Sequence, residues 1–88
     1  MIEIKILQAS TESMDFKKLN PDLLCPVDFY KLTLATIDFK RIVGFYPNVF
    51  YEGVTNVDTI GGENFWVPMQ YEKFKEFYNL KMAKELTI

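Results

Sequence analysis

Histidine is absent from this sequence of 88 residues, and cysteine occurs once, as Cys25. Without an imidazole, the chain lacks the side chain that most often acts as a general base or binds zinc. A lone cysteine excludes an intramolecular disulfide and a cysteine-based metal site, and it favours a reducing, cytoplasmic location. We therefore expect no catalytic residues, no metal and no cofactor, and we predict that the protein is not an enzyme.

Clustered positive charge is lacking as well. Ten Lys and Arg residues stand against twelve Asp and Glu residues, for a net charge of −2 at pH 7. Binding to duplex nucleic acid depends on clustered cations that replace condensed counterions. The charge distribution therefore disfavours this function. No apolar run reaches the length of a membrane span, and the N-terminus does not resemble a signal peptide. We expect no membrane partner.

Aromatic residues are abundant, with eight Phe, five Tyr and one Trp. The chain is 49% hydrophobic and 25% charged, which is typical of a globular protein. Its length predicts a single domain, residues 1–88, that buries roughly two-thirds of the surface of the unfolded chain. We expect most Phe side chains in the core, whereas the Tyr side chains and Trp66 have polar tips that can lie at a boundary.

The first half of the chain predicts two strands separated by an irregular segment. Residues 2–6 alternate strictly between isoleucine and charge, which predicts a half-buried strand that runs to about residue 8. Residues 10–27 are the least predictable part: residues 15–19 could form a turn or two of helix, and residues 20–22 a single turn. Residues 28–37 favour a strand, and the changed parity of its apolar positions implies a bulge near Ala35 or burial on both faces.

The second half predicts further strands over residues 41–45, 49–52, 54–60 and 63–67. Gly61 and Gly62 predict a tight hairpin of the primed type between the last two strands. Helical spacing follows from residue 69 to about residue 86. One apolar stripe contains Val67, Tyr71, Phe74, Phe77, Tyr78 and Met82. We predict an α+β fold, a two-layer sandwich in which a mostly antiparallel sheet of four or five strands carries one long C-terminal helix on one face.

Strand parity then divides the side chains between the two faces of the sheet. If Val67 points toward the helix, Trp66 points to the opposite face. One helix cannot cover five strands, so part of that opposite face is predicted to be solvated or reserved for a partner. We expect Trp66→Ala to change stability by less than about 1 kcal/mol and to weaken a partner complex by about 2 kcal/mol or more.

The composition favours a small non-catalytic protein-binding module, such as an inhibitor or accessory factor of a larger assembly. Its partner would be another protein. The candidate contacts are the aromatic and acidic residues around the predicted hairpins: Tyr46, Phe50, Tyr51, Glu52, Asp58, Glu63 and Trp66. Chains rich in Phe, Tyr, Lys, Asn and Ile are common in phages and plasmids with AT-rich genomes, which is an association only.

Two alternative functions stay open. A protein that binds single-stranded nucleic acid would stack bases on aromatic rings and bind phosphates with cations. The rings would be Tyr30, Tyr46, Phe50 or Trp66, and the cations Lys31, Lys40 and Arg41. A self-assembling structural subunit would instead form a homodimer or polymer through the uncovered face, or through an edge strand such as residues 2–8.

Overall fold

The computed structural model describes residues 1–86, which form an antiparallel sheet of five strands and two α-helices. In chain order these are β1 (Ile2–Gln8), α1 (Thr11–Leu19), β2 (Lys31–Ile37), β3 (Ile42–Pro47), β4 (Thr55–Thr59), β5 (Asn64–Val67) and α2 (Tyr71–Leu86). Two short 3₁₀ turns, Val27–Phe29 and Phe39–Arg41, precede β2 and β3. The predicted α+β fold, with its C-terminal helix packed on the sheet, is confirmed.

The strands follow the order β2-β1-β5-β4-β3, so that β2 and β3 form the two edges. β1 pairs with β2 along its whole length, from Ile2 opposite Ile37 to Gln8 opposite Lys31. On its other side β1 also pairs with β5. The expectation that residues 2–8 form an edge strand is therefore wrong, because this strand lies inside the sheet.

The two edges of the sheet lie closer together than in a flat sheet. Although β2 and β3 are opposite edges, only residues 38–41 join them. In a flat sheet four strand spacings would separate these edges by roughly 19 Å. The link, which contains a 3₁₀ turn, spans less than roughly 18 Å. Phe39 in this link is buried in the core that α2 covers. We call the side of the sheet that faces α2 the inner face and the opposite side the outer face.

The core lies between the inner face and α2. Its buried members are Ile4, Ile6, Ile37, Phe39, Val57, Val67 and Phe74. The ring centroid of Phe74 lies 6.0 Å from that of Phe39 and 5.0 Å from that of Phe45. Tyr78 contacts the same two rings at 5.7 Å and 5.1 Å. The aromatic stripe of α2 therefore faces the sheet, as the helical spacing predicts.

β2 has neither the expected bulge near Ala35 nor burial on both faces. Its register against β1 is continuous, and Leu32 and Leu34 are 58% and 61% exposed. The changed parity has a simpler cause. Tyr30 precedes the strand, and the two leucines point outward while Ala35 and Ile37 pack on the core.

Two predictions about loops are also wrong. Residues 49–52 form a loop instead of a strand, because the Asn48 side chain accepts hydrogen bonds from backbone amides within it.

The turn between β4 and β5 also differs from the prediction, because only Gly62 in it has a positive φ, 81°. A primed turn needs a positive φ at its first central residue. The amide of Gly62 donates to the carbonyl of Thr59, and the amide of Thr59 donates to the carbonyl of Glu63, both at 3.0 Å. The connection is therefore a three-residue loop with a left-handed glycine.

α1 begins earlier than predicted, at Thr11, because Ser10 and Ser13 cap it reciprocally. The Ser13 amide donates to the Ser10 hydroxyl at 3.1 Å, and the Ser10 amide donates to the Ser13 hydroxyl at 2.8 Å. This pattern satisfies two amides that the first helical turn would leave without partners. The helix ends at Leu19, two residues before Pro21.

Candidate binding surface on the outer face

The outer face presents one row of side chains that crosses all five strands. From edge to edge its members are Tyr46, Asn56, Trp66, Leu7 and Leu32. Successive residues of a strand point to opposite faces, so Val57 and Val67, which follow two members of the row, are buried in the core. α2 packs on the core side of the sheet and therefore does not cover this row.

Three aromatic rings pack against one another around the middle of the row. The ring of Trp66 lies 5.7 Å from the ring of Tyr30 and 5.7 Å from the ring of Tyr51, and the two tyrosine rings are 6.0 Å apart. Tilted contacts at these distances add to the apolar area that the rings bury. Trp66 is therefore half-buried. We revise the expectation that its removal would hardly affect stability, because its ring supports two neighbouring segments.

Tyr51 joins the loop after β3 to the segment that follows α1. Its side chain is only 8% exposed, and its hydroxyl donates a hydrogen bond of 2.5 Å to the carbonyl of Cys25. Burial raises the pKa of Tyr51 above the ordinary tyrosine value, and the neighbouring Tyr30 and Cys25 add to the shift. The hydroxyl therefore stays protonated and remains a donor at neutral pH.

Asn48 holds the loop after β3 in shape. Its side-chain oxygen accepts hydrogen bonds from the amides of Phe50 and Tyr51 at 2.8 Å and 2.9 Å. Its side-chain nitrogen donates to the side-chain oxygen of Asn56 at 2.8 Å, and its backbone amide donates to the carbonyl of Val54 at 2.9 Å. The loop is thus fastened to the sheet as well as to Cys25.

Next to the Tyr51–Cys25 hydrogen bond, the two joined segments expose four apolar side chains. Leu24 precedes Cys25 and Phe50 precedes Tyr51, so these two residues flank opposite ends of the bond. The exposed fractions are 63% for Leu23, 54% for Leu24, 84% for Val49 and 64% for Phe50. A single exposed apolar residue is ordinary, whereas several on two fastened loops make these loops a candidate interaction site. We call Leu23, Leu24, Val49 and Phe50 the loop patch.

Five of the seven predicted contact residues lie on the outer face or in the loop that borders it. Tyr46, Asp58 and Trp66 belong to strands and point outward, and the Asp58 carboxylate accepts a hydrogen bond from the Asn64 side chain. Phe50 and Glu52 are exposed in the loop after β3. The structure therefore brings this part of the predicted site together.

The remaining two predicted residues do not share that surface. Tyr51 is buried, so it supports the surface from beneath instead of presenting its ring to a partner. Glu63 is exposed beside the loop that joins β4 to β5, where it lines a separate cleft together with Arg41. Neither side chain is therefore exposed on the outer face or in the loop patch.

A shallow groove of about 340 Å³ adjoins the row on the side of β2. Its apolar lining includes Leu7, Leu32, Val54 and Pro68. The carboxylates of Asp28 and Glu52 also line it. An apolar groove beside two carboxylates suits an apolar side chain that is followed by a cationic one.

Three residues of the loop patch, Leu23, Leu24 and Val49, were not among the predicted contacts. For the two leucines, the signal is the position of apolar residues in a segment bounded by proline. Leu23 and Leu24 lie between Pro21 and Pro26, a segment too short for a regular helix or strand.

Metal and membrane sites are not found on this surface or elsewhere in residues 1–86. No three side chains of His, Cys, Asp or Glu come together there in a way that could hold a metal ion. Over the same residues, no helix combines the length and the apolar character that crossing a bilayer requires. The thiol of Cys25 is free and buried.

Comparisons of the chain with family models, with curated proteins and with solved structures found no match. The case for a function therefore depends on the contacts and exposure of the loop patch and the outer face.

Proposed function

We propose that this protein is a non-catalytic module that binds another protein through the loop patch and the adjoining outer face. The observation that carries the proposal is the exposure of four apolar side chains on two segments that the Tyr51–Cys25 hydrogen bond fastens together. A surface that is already ordered loses little conformational freedom when it binds. Affinity gained from its apolar area is therefore not consumed by ordering the loops.

The size of the loop patch sets the affinity that it can supply. Full burial of a Leu, Val or Phe side chain gains roughly 1.5–3 kcal/mol. Because the four side chains are already partly buried, a partner would gain on the order of 4–8 kcal/mol from covering them, before the costs of association. A micromolar complex needs a net gain of about 8 kcal/mol. The partner must therefore also contact the outer face, for example Tyr46 or the groove beside Asp28 and Glu52.

We also propose that the protein is an inhibitor or accessory factor, that it acts in the cytoplasm and that it is not an enzyme. It is supported by the absence of histidine from the sequence and by the surroundings of the one thiol. Cys25 is buried, and its thiol donates a hydrogen bond to the Pro26 carbonyl, which does not activate a thiol.

Binding of single-stranded nucleic acid is the second candidate, because one cleft combines aromatic rings with a cation. The Lys17 ammonium lies 5.4 Å from the centroid of the Tyr30 ring, and both line a cleft of about 240 Å³ together with Trp66. A base could stack there beside a lysine. Against this candidate, the net charge is −2 and Arg41 lines a different cleft.

The test compares three forms of the protein as bait in extracts of cells that naturally make it. We expect the wild type to retain a partner protein and Phe50→Ser to weaken the complex by about tenfold or more. Ile60→Ser is the matched control. Ile60 is 67% exposed, close to the exposure of Phe50, but it lies in the loop between β4 and β5.

Equal retention of the partner by Phe50→Ser and by Ile60→Ser would contradict the proposal. A gel shift of a single-stranded oligonucleotide that weakens with salt, and that Lys17→Gln abolishes, would favour the second candidate instead.

A further inference from the structure

Two largely apolar pockets adjoin each other on the outer face. The first is the groove of about 340 Å³ described above, which we now call the acidic pocket. The second has a volume of about 390 Å³, and its lining includes Ile4, Leu34 and Met69. Pro68 lines both pockets, so they are neighbours. We call the two pockets together the outer groove.

The second pocket lies where β1 and β5 separate. The two strands pair at Leu7 and Trp66, and β5 ends at Val67, one residue before Pro68. Because proline has no amide proton to donate, it cannot extend the ladder along β1. The chain therefore leaves β1 at this point, and a gap opens beside the outward side chain of Leu34.

The two pockets are spaced like alternate residues of a strand. Leu32 lines the acidic pocket and Leu34 lines the second pocket. These leucines are separated by one residue of β2, which corresponds to roughly 7 Å. In an extended segment, side chains separated by one residue point the same way at the same spacing. Such a segment, laid along the outer groove, can therefore insert one side chain into each pocket.

The charged residues that line the outer groove differ between its two ends. Asp28 and Glu52 line the acidic pocket, and no lysine or arginine of residues 1–86 lines it. In the second pocket, Glu3 and Lys5 offset each other. Lys31 precedes the outward Leu32, so it points away from the outer face. The acidic pocket therefore attracts a cation and repels the phosphates of nucleic acids and anionic lipids.

We propose that the outer groove binds an extended segment of a partner protein that carries two apolar side chains separated by one residue. A lysine or arginine flanks the apolar side chain that enters the acidic pocket. This proposal rests on the proposed function, because the segment supplies the contact that the loop patch needs in addition to its own. Glu52 lies two residues after Phe50, so the outer groove adjoins the loop patch. Because the two carboxylates are exposed, the cation contributes more to specificity than to affinity.

NMR titration of the full chain with capped synthetic peptides tests the proposal. The probes are Ser-Arg-Leu-Ser-Leu-Ser and its reversed sequence, which cover both directions of the bound segment. We expect one of them to bind with a Kd on the order of 1 mM and to shift the amides of Leu7, Leu32, Leu34 and Gly53. Replacing the arginine of that peptide by glutamate, or making its two leucines adjacent, should each weaken binding by about threefold or more.

Neutralising the two carboxylates tests the charge argument in the protein itself. In the double variant Asp28→Asn and Glu52→Gln, the arginine and glutamate peptides should bind equally well. The matched control is Glu72→Gln and Glu76→Gln, which changes the net charge by the same amount. Both control positions are exposed on α2, which packs on the inner face, so the preference for the arginine peptide should persist.

Three results would each overturn the proposal. They are equal binding of the arginine and glutamate peptides to the wild type, equal binding of alternate and adjacent leucines, and unshifted groove amides at about 10 mM peptide. Shifts of the same amides when the protein alone is concentrated would assign the groove to a second copy, and would also overturn it. Failure of the proposed function is seen separately, as equal retention of the partner by Phe50→Ser and Ile60→Ser.

Discussion

Tyr51→Phe removes a single oxygen atom from beneath the outer face and leaves the three aromatic rings in place. The hydroxyl donates to the carbonyl of Cys25 at 2.5 Å, and the side chain is 8% exposed, so water cannot easily replace the lost donor. A buried carbonyl that loses its partner costs about 1–3 kcal/mol. We expect the free energy of unfolding to fall by about 1–2 kcal/mol and Tm to fall by roughly 5–15 °C.

Urea unfolding measures this effect, and the midpoint should decrease while the slope stays unchanged. Amide hydrogen exchange should become faster over residues 20–28 and 48–54, the two segments that the hydrogen bond joins. Tyr46→Phe is the control, because no residue within 1–86 hydrogen-bonds to the exposed Tyr46 hydroxyl, and it should change stability by less than about 0.5 kcal/mol. If Tyr51→Phe unfolds at the same urea concentration as the wild type, the two segments are not held together by this bond.

Three further predictions follow from the packing. Trp66→Ala should destabilise the protein by about 2–3 kcal/mol, because it opens a gap between Tyr30 and Tyr51; a loss below about 1 kcal/mol in urea unfolding would restore the original expectation. Phe74→Ala should cost about 3–5 kcal/mol, enough to unfold a domain this small, and normal melting would refute the assignment of the α2 stripe. Because burial raises the pKa of Tyr51, its contribution to stability is complete below pH of about 10 and is lost as the pH rises further, since the unfolded chain loses its proton first. Unfolding measured across that pH range should show a shallower decline in Tyr51→Phe than in the wild type, and equal slopes would contradict the shift.

Periodicity was sufficient to predict the elements that form the core. The alternation of Ile2, Ile4 and Ile6 with charged residues identified β1, and the helical spacing of aromatics from residue 71 identified the face of α2. Both patterns report directly on which side chains leave water, and this burial is the main stabilising term. The same parity correctly placed Trp66 on the face opposite the helix.

Side-chain hydrogen bonds explain most of what periodicity missed. The apolar run Val49, Phe50 and Tyr51 has the composition of a strand, but the Asn48 side chain satisfies the backbone amides that a strand would pair. The burial of Tyr51 depends on Cys25, which is 26 residues away in sequence, and no local pattern records such a contact. The place of β2 at an edge of the sheet is likewise a property of strand order, which only the folded chain reveals.

A photo-activatable amino acid at position 50 tests the central claim most directly, because it reports contact at the loop patch inside cells that make the protein. The account predicts that a crosslinker in place of Phe50 captures one partner protein, whereas the same crosslinker in place of Ile60 captures none. Equal capture from both positions, or capture from position 60 alone, would contradict binding through the loop patch.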